Sequence, residues 1–239
     1  MAEKILSQQI ERIVVTIRRC LIPKRARCFP ICKQLLADSV GLEIGGPSQI
    51  FTGNGALPVY PVLKRLDNCN LSEKTIWETA NQATSFGYDE RHPQGDQYIA
   101  EATDLQTISL ETYDCALASH VIEHIANPLQ ALSEWIRILK ERGILVLIVP
   151  HKDGTFEAFK RRSKKNIENR ALHHHVFDTA SVVRLAHHMN LEILAIEPRL
   201  PHHIITITRK MPTGQLPNDQ LFVESKRRHR SPFPTDRHP

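Results

Sequence analysis

Two short apolar runs in this chain end in residues suited to a ligand crevice. Residues 41–44 lead into the turn Gly45-Gly46, and residues 114–118 lead into the polar pair Ser119-His120. In open α/β sheets, ligands bind outside the carboxyl ends of the strands, where the strand order reverses. Two such strand ends therefore predict an α/β fold whose function lies at that edge.

The remaining apolar patterns complete a sheet of seven strands. Residues 144–149 lack polar alternation, as expected for a strand covered on both faces, and apolar positions recur at helical spacing over 128–140 and 179–189. The last two strands, separated by Pro198–Pro201, are expected to pair antiparallel at one edge. The sequence thus predicts a doubly wound, mostly parallel seven-stranded sheet with one antiparallel edge strand. The strand candidates are residues 41–44, 63–67, 97–100, 114–118, 144–149, 191–197 and 204–208.

Three regions are expected along the chain. Residues 1–39 form an N-terminal helical extension, with an amphipathic helix over 1–22 and a short helix over 32–38. Residues 40–210 form the sheet domain. Residues 211–239 are basic, rich in proline and poor in apolar anchors, so we expect disorder there.

Charge is unevenly distributed over these regions. The net charge is +5, yet residues 41–208 carry 16 Lys and Arg against 20 Asp and Glu, so the positive excess lies in the flanks. A nucleic-acid enzyme would place basic surface around its cleft. Nucleic acid is therefore disfavoured as a partner, and the basic run 160–165 is expected to be a solvated face.

The cysteine pattern and the hydropathy indicate a reduced, soluble, cytoplasmic protein. The five cysteines show neither a disulfide framework nor zinc-finger spacing, and we predict no metal site. No signal peptide and no membrane-spanning apolar run are evident. Peripheral membrane contact through the N-terminal helix is the less favoured alternative to packing on the domain. The oligomeric state stays open.

The turn after the first strand is the first candidate binding element. Without side chains at Gly45 and Gly46, a ligand can approach the main-chain amides, and Ser48 can add a hydroxyl. Glu43 ends the strand before it. An ordinary strand-to-loop turn is the alternative interpretation.

Two acids follow later strand candidates. Asp67 lies about 20 residues beyond Gly45, where a dinucleotide fold places its ribose-hydroxyl acceptor. Asp104 follows the third strand, where its carboxylate could accept from an exocyclic adenine amine. A turn aspartate and an Asx turn, respectively, are the structural alternatives.

Histidines supply the candidate catalytic groups. His120 and His151 each follow a strand at the crevice edge. Three consecutive residues cannot all direct their rings at one ion, which disfavours a metal site at His173-His-His175. Because imidazole titrates near neutral pH, the more specific functional interpretation is a general base. A structural role for at least two of these three is the default.

Taken together, these motifs resemble the class I methyltransferases that use S-adenosylmethionine, in the broad group with a ubiquinone-biosynthesis-type (type 11) domain. The likeness is carried by Leu42-Glu-Ile-Gly-Gly-Pro-Ser48, Ala102-Thr-Asp-Leu105 and residues 113–128 and 131–143. The resemblance implies a Rossmann-like fold and this cofactor. It places the methionine moiety at residues 43–46, the ribose at Asp67, the adenine at Asp104 and Leu105, and the sulfonium beside Ser119 and His120.

In two features the sequence differs from the general pattern of these methyltransferases. The Gly-Gly-Pro-Ser loop is similar to that of a subgroup whose first helix is replaced by a loop, and the segment 154–169 is shorter than in that subgroup. No Asn-Pro-Pro-Tyr-type sequence follows the fourth strand, which disfavours adenine or amide nitrogen as the acceptor.

We therefore expect transfer to a small-molecule or glycan acceptor at oxygen. His174 or His175 would be the base, with His151 as a third candidate. The alternatives are a non-catalytic cofactor-binding or regulatory module, suggested by the short segment, and an RNA methyltransferase, suggested by the basic flanks.

Overall fold

The computed structural model describes residues 24–71, 85–89, 91–154, 173–212, 215 and 231–237. The amphipathic helix expected over residues 1–22 and the basic run 160–165 lie outside the described residues. Among the helices that are described, none is both long enough and apolar enough to cross a membrane.

A single eight-stranded sheet organises the described residues, in the order β3-β4-β2-β1-β5-β6-β8-β7. The central strands β4, β2, β1, β5 and β6 are parallel. Strand β8 runs antiparallel between β6 and the edge strand β7. The predicted doubly wound, mostly parallel α/β fold is confirmed, and the two-residue strand β3 adds an eighth strand antiparallel to β4. The strands are β1 Val40–Ile44, β2 Arg65–Asn70, β3 Ser85–Phe86, β4 Gly95–Ile99, β5 Tyr113–Ser119, β6 Leu139–Pro150, β7 Leu191–Arg199 and β8 His203–Lys210.

Helices cover both faces of this sheet. Helix α1 (Phe29–Leu36) packs on one face, whereas α2 (Pro128–Ile138) and α3 (Thr179–His188) pack on the other. A short helix, α4 (Pro234–Arg237), follows near the end of the chain. Helices α2 and α3 begin where the sequence predicts, because Asn127 and Asp178 cap them by accepting hydrogen bonds from main-chain amides.

Strand β6 shows why an unbroken apolar run marks the centre of such a sheet. Successive side chains of a strand point to opposite faces, and residues 144–149 alternate between the two hydrophobic cores. All six are buried. Burying each such side chain stabilises the fold by about 1.5–3 kcal/mol, so this strand anchors both layers.

A loop with two short 3-10 turns, and no α-helix, connects β1 to β2. The turns span Gln49–Phe51 and Tyr60–Val62. Phe51 and Tyr60 are fully buried and fill the core under the loop. This agrees with the loop implied by the Gly-Gly-Pro-Ser motif.

Residues 231–237, part of the segment 211–239 for which disorder was expected, pack against the domain, whereas most of that segment lies outside the described residues. Asp236 is buried and accepts hydrogen bonds from Ser231 Oγ at 2.6 Å and Thr179 Oγ1 at 2.5 Å. Phe233 is buried as well and stacks on the ring of His151 at 3.8 Å between centroids. One aromatic anchor and a buried polar network are enough to order this segment, although its composition is polar.

The four described cysteines are buried free thiols. Burial raises the pKa of the Cys32 thiol and of the Cys69 thiol to about 12. These residues therefore serve packing, in line with the absence of a disulfide pattern in the sequence.

Candidate functional site

The switch point at which the sequence predicts the ligand site lies between β1 and β5. These strands are neighbours at the point where the strand order reverses, which is where open α/β sheets bind ligands. Their tips, Ile44 and Ser119, lead directly into Gly45 and His120 at the same edge of the sheet.

The Gly45-Gly46 turn is shaped by close contacts on both sides. Gly45 has φ +78°, and a Cβ there would lie 2.5 Å from Val121 Cγ2, in the loop after β5. A Cβ on Gly46 would lie 2.3 Å from the carboxylate of Glu43. Only glycine fits the turn, which holds the two loops that flank the crevice close together.

The main-chain amides of this turn are engaged within the protein, which corrects the expectation that they bind the ligand. The Gly45 N–H donates to Cys69 O at 2.9 Å, and the Gly46 N–H donates to Asn68 Oδ1 at 3.2 Å. The turn therefore offers an exposed backbone surface at Gly45 and not a pair of open donors.

Glu43 supports the turn from beneath. Its side chain is fully buried, and Tyr60 donates a hydrogen bond from its hydroxyl to Glu43 Oε2. The same hydroxyl accepts from the Ser48 N–H at 2.8 Å. The structure thus places Glu43 and Ser48 in one network that fixes the loop, with Glu43 shielded from the crevice.

Asp67 does not occupy the predicted strand tip. Strand β2 continues three residues further, to Asn70, so Asp67 lies in mid-strand. Its carboxylate accepts from Tyr113 Oη at 2.7 Å, from Asp96 N at 2.8 Å and from Arg65 Nε at 2.9 Å. These bonds make Asp67 a structural residue that ties β2 to β4 and β5.

Asn70 holds the position that was expected for Asp67. It ends β2 at the crevice edge, and its side-chain amide donates to Gly46 O at 3.1 Å. Asn70 is not a candidate from the sequence, because the composition of the run Asn68-Cys-Asn70 is typical of a turn.

Substituting these two residues separates their roles. Asp67→Asn is expected to lower the free energy of unfolding by about 1–3 kcal/mol, because an NH₂ donor replaces one of the two accepting oxygens and leaves a buried donor without its acceptor, with cofactor affinity unchanged. Asn70→Ala is expected to weaken S-adenosylmethionine binding about tenfold, equivalent to about 1.4 kcal/mol. Chemical denaturation and calorimetry measure the two effects, and the opposite pattern would restore Asp67 as the ribose ligand.

Asp104 and Leu105 lie in different environments in the structure. The Asp104 side chain is exposed beyond β4, and its Oδ1 accepts from Gln106 N at 3.3 Å, in the Asx turn that was the structural alternative. Leu105 is fully buried in the core, and its N–H donates to Glu134 Oε2 at 2.9 Å. Asp104 can still meet an adenine amine, whereas Leu105 packs beneath this loop and does not line the crevice.

His120, next to Ser119 at the tip of β5, lies among other imidazoles. It has φ +57°, and its Nε2 lies 2.9 Å from His203 Nδ1 in a hydrogen bond. Its Nδ1 lies 3.4 Å from Glu123 Oε1. Burial, with a contribution from His120, lowers the pKa of His202 to about 4 and that of His203 to about 2, so both rings are neutral at pH 7.

The sequence alone did not reveal His202 and His203 as site residues. They lie at the start of β8, and they reach the crevice edge because β8 runs antiparallel beside β6. In the sequence they are two histidines in the turn before the last strand. Whether that turn reaches the crevice edge depends on the strand order, which the sequence does not reveal.

The His173–His175 run is tied to the loop after β5. The main-chain N–H groups of His174 and His175 donate to Glu123 O, at 2.7 Å and 3.2 Å. His174 is exposed, while His175 Nε2 lies 3.3 Å from Ala126 O. Burial lowers the pKa of His173, an effect that outweighs the nearby Glu123. The structure therefore brings this run to the same edge as His120.

His151 is not available as a base. It is fully buried, its Nε2 bonds to Asp236 Oδ1 at 3.1 Å, and its Nδ1 accepts from Asp153 N at 3.1 Å. The amide contact requires an unprotonated Nδ1, so Nε2 carries the proton and donates to the carboxylate. Both ring nitrogens are used in attaching the C-terminal segment.

A methyltransferase family and solved methyltransferase structures match this chain. A family model described as a methyltransferase domain matches residues 17–196. An uncharacterized 37.1 kDa protein in transposon Tn4556 of Streptomyces fradiae is 41% identical over 56 residues, which cover 23% of this chain and 16% of that protein.

Three solved structures share the fold. A SAM-dependent methyltransferase from Methanosarcina mazei has a TM-score of 0.53 and 14% identity, with coverage of 77% of this chain and 98% of that chain. The N-methyltransferase NodS from Bradyrhizobium japonicum WM9 has a TM-score of 0.52 and 19% identity, covering 78% and 95% respectively; it is also known in complex with S-adenosylhomocysteine.

The third is 1,6-didemethyltoxoflavin-N1-methyltransferase from Burkholderia thailandensis, solved with 1,6-didemethyltoxoflavin and S-adenosylhomocysteine. Its TM-score is 0.52 at 14% identity, covering 88% of this chain and 87% of that chain. At such identities the likeness shows a common fold, on which different acceptors are methylated.

Proposed function

Because the chain belongs to the class I S-adenosylmethionine-dependent methyltransferases, we propose that it methylates a hydroxyl oxygen of a small-molecule or glycan acceptor. The observation that carries this proposal is the set of imidazoles around the tip of β5. Rings of His120, His202 and His203 lie there within hydrogen-bonding or ring-contact distance of one another. His202 and His203 are uncharged, so this edge suits a small polar acceptor better than a polyanion, and the adjacent His174 and His175 would supply the imidazole that accepts a proton from a hydroxyl group.

The residues at the crevice fit an adenosyl ligand. Gly45 presents exposed backbone between β1 and β5, Asn70 stands at the tip of β2 and Asp104 is exposed beyond β4. The Asn70 amide nitrogen already donates to Gly46 O, but its side-chain oxygen can accept from a ribose hydroxyl, and a carboxylate can accept from the adenine amine. When bound, S-adenosylmethionine supplies an electrophilic methyl group on a sulfonium leaving group.

The protein itself would contribute to the reaction mainly by positioning the two reactants. Ser119 and His120 stand beside β1 at the reversal of strand order, which supports a role for them next to the transferred methyl group. Holding two reactants in line converts a bimolecular step into an effectively unimolecular one. The His120 ring is held by His203 on one side and by the Glu123 carboxylate on the other.

His174 and His175 are the proposed bases, and their geometry differs. His175 Nε2 lies against the carbonyl oxygen of Ala126, which can only accept, so the proton is on Nε2 and Nδ1 is the basic atom. The His174 side chain is exposed, so its ring can meet an acceptor from solvent. Either ring is held beside the β5 loop by the main-chain bonds to Glu123.

The test combines cofactor binding with methyl transfer. The full-length protein is titrated with S-adenosylmethionine in a calorimeter, and transfer of a labelled methyl group to panels of hydroxylated metabolites and oligosaccharides is followed. We expect binding, and transfer that falls about 10²–10⁴-fold in kcat when the true base is replaced in His174→Ala or His175→Ala. His188→Ala, on the exposed end of α3, is the matched control.

The outcomes separate the alternatives. Failure to bind either S-adenosylmethionine or S-adenosylhomocysteine would refute the proposal. Cofactor binding without transfer to any acceptor would support a non-catalytic module. Transfer to RNA with a steep loss of affinity at higher salt would support the RNA enzyme in its place.

A further inference from the structure

Glu123 is a buried carboxylate whose oxygens lack the hydrogen bonds that such a group requires. It belongs to the 3-10 turn Ile122–His124, and its side chain is 1% exposed. Among the described residues, neither Glu123 Oε1 nor Oε2 accepts a hydrogen bond. A buried charge is costly unless it is paired or coordinates a metal, and the groups near Glu123 Oε1 are imidazoles, with His120 Nδ1 at 3.4 Å and His124 Nε2 at 3.9 Å.

Two imidazoles approach that carboxylate together. His124 Nε2 lies 3.9 Å from Glu123 Oε1, and the rings of His124 and His173 are 4.7 Å apart between centroids, edge to face. One ligand atom from each of Glu123, His124 and His173 lies within 4.8 Å of the other two. These three residues are here called the Glu123 triad.

We propose that the Glu123 triad binds a divalent transition-metal ion, in place of the expectation from the sequence that the chain has no metal site. Two histidines and one carboxylate form a ligand set used for zinc and for non-haem iron, and imidazole selects such ions over magnesium and calcium. Ligand atoms at about 2.1 Å from one ion lie roughly 3–4 Å apart. The described separations therefore close around an ion with small side-chain shifts.

The neighbouring histidines are a weaker site. His120, His202 and His203 also bring ligand atoms within 4.8 Å of one another. However, His120 and His203 already satisfy each other through a hydrogen bond of 2.9 Å, and the group carries no negative charge to offset a dication. The Glu123 triad has both the charge and the unsatisfied acceptor.

The position of the triad gives the ion access to an acceptor. His120 at the tip of β5 lies 3.4 Å from Glu123 Oε1, so the triad borders the edge where the methyl group is transferred. Three protein ligands leave coordination positions for a further molecule. The inference does not rest on the proposed function, because ion binding is measured without cofactor or acceptor.

Cobalt(II) and zinc are the probes. The full-length protein is freed of metal with a chelator and titrated with Co²⁺, whose visible absorption reports ligand geometry, and then with Zn²⁺ in competition. We expect one equivalent of ion, and a loss of affinity of at least about 100-fold in Glu123→Gln and in His173→Ala. Glu123→Gln preserves the shape of the side chain, and His173 is partly exposed, so its replacement disturbs the core least.

Matched variants decide between the two groups. His188→Ala removes an exposed histidine outside both groups, and His202→Ala removes a ligand of the neighbouring group only; both are expected to bind Co²⁺ as the parent does. Absence of a cobalt spectrum in folded protein would overturn the proposal. So would a spectrum that survives His173→Ala, or one that disappears with His202→Ala.

Discussion

Replacing Gly45 with arginine will weaken S-adenosylmethionine binding by at least about 100-fold, or about 2.8 kcal/mol. The residue has φ +78°, where a side chain costs about 1–2 kcal/mol, and the new Cβ would lie 2.5 Å from Val121 Cγ2. The loops after β1 and β5 must then separate, and these loops form the crevice. Calorimetry with S-adenosylmethionine measures the loss.

Gly87→Arg provides the control with the same chemical change. Gly87 is exposed and lacks a positive φ, and a Cβ added to it would meet no atom of the described residues within 4 Å. We expect parental affinity and parental stability for this variant. If Gly45→Arg binds the cofactor as tightly as Gly87→Arg does, the crevice between β1 and β5 is not the cofactor site.

Replacing Asp236 with alanine will lower the free energy of unfolding at pH 7 by about 3–5 kcal/mol, because three buried side-chain donors lose a charged acceptor at once. Asp236 accepts from His151, Thr179 and Ser231, and its side chain is 1% exposed. Its loss leaves these donors buried without an acceptor. In a chain of this size, the melting temperature would fall by roughly 6–20 °C, as differential scanning calorimetry would show.

Arg237→Ala, next to it in α4 and exposed, is expected to change stability by under about 0.5 kcal/mol. An equal loss in both variants would mean that the segment contributes through its backbone alone.

The effect of Asp236 depends on pH in a defined direction. Burial raises the pKa of its carboxyl, but the hydrogen bonds from His151, Ser231 and Thr179 outweigh that and lower it to about 2. A pKa depressed by folding stabilises the protein above its unfolded value, near pH 4, and this contribution is lost as the pH falls through about 2. The difference between parent and Asp236→Ala should therefore shrink in acid.

Local sequence patterns are sufficient to predict most of the strands and helices of the fold. Strand β6 and helices α2 and α3 follow from apolar periodicity and capping residues, because burial on one or both faces leaves a direct trace in sequence. The polar run Asn68-Cys-Asn70 resembles a turn, so the sequence predicts an end to β2 three residues before the observed one. Its asparagines are buried by bonds to Gly46, a partner that local sequence does not reveal.

The candidate site was only partly predictable for the same reason. Gly45 and His120 follow strands and could be assigned to the crevice edge from position alone. The burial of His151 depends on Asp236, which lies 85 residues further along. The approach of His203 to His120 depends on where β8 inserts, which sequence periodicity does not determine.

The attachment of residues 231–237 also imposes an order on folding during synthesis. All five central parallel strands are complete once residue 150 has been translated, whereas His151 meets Asp236 only after that distant residue has left the ribosome. Domains begin to fold from the N-terminal side as the chain emerges. If the parallel strands assemble before then, His151 is without its buried carboxylate partner throughout that interval.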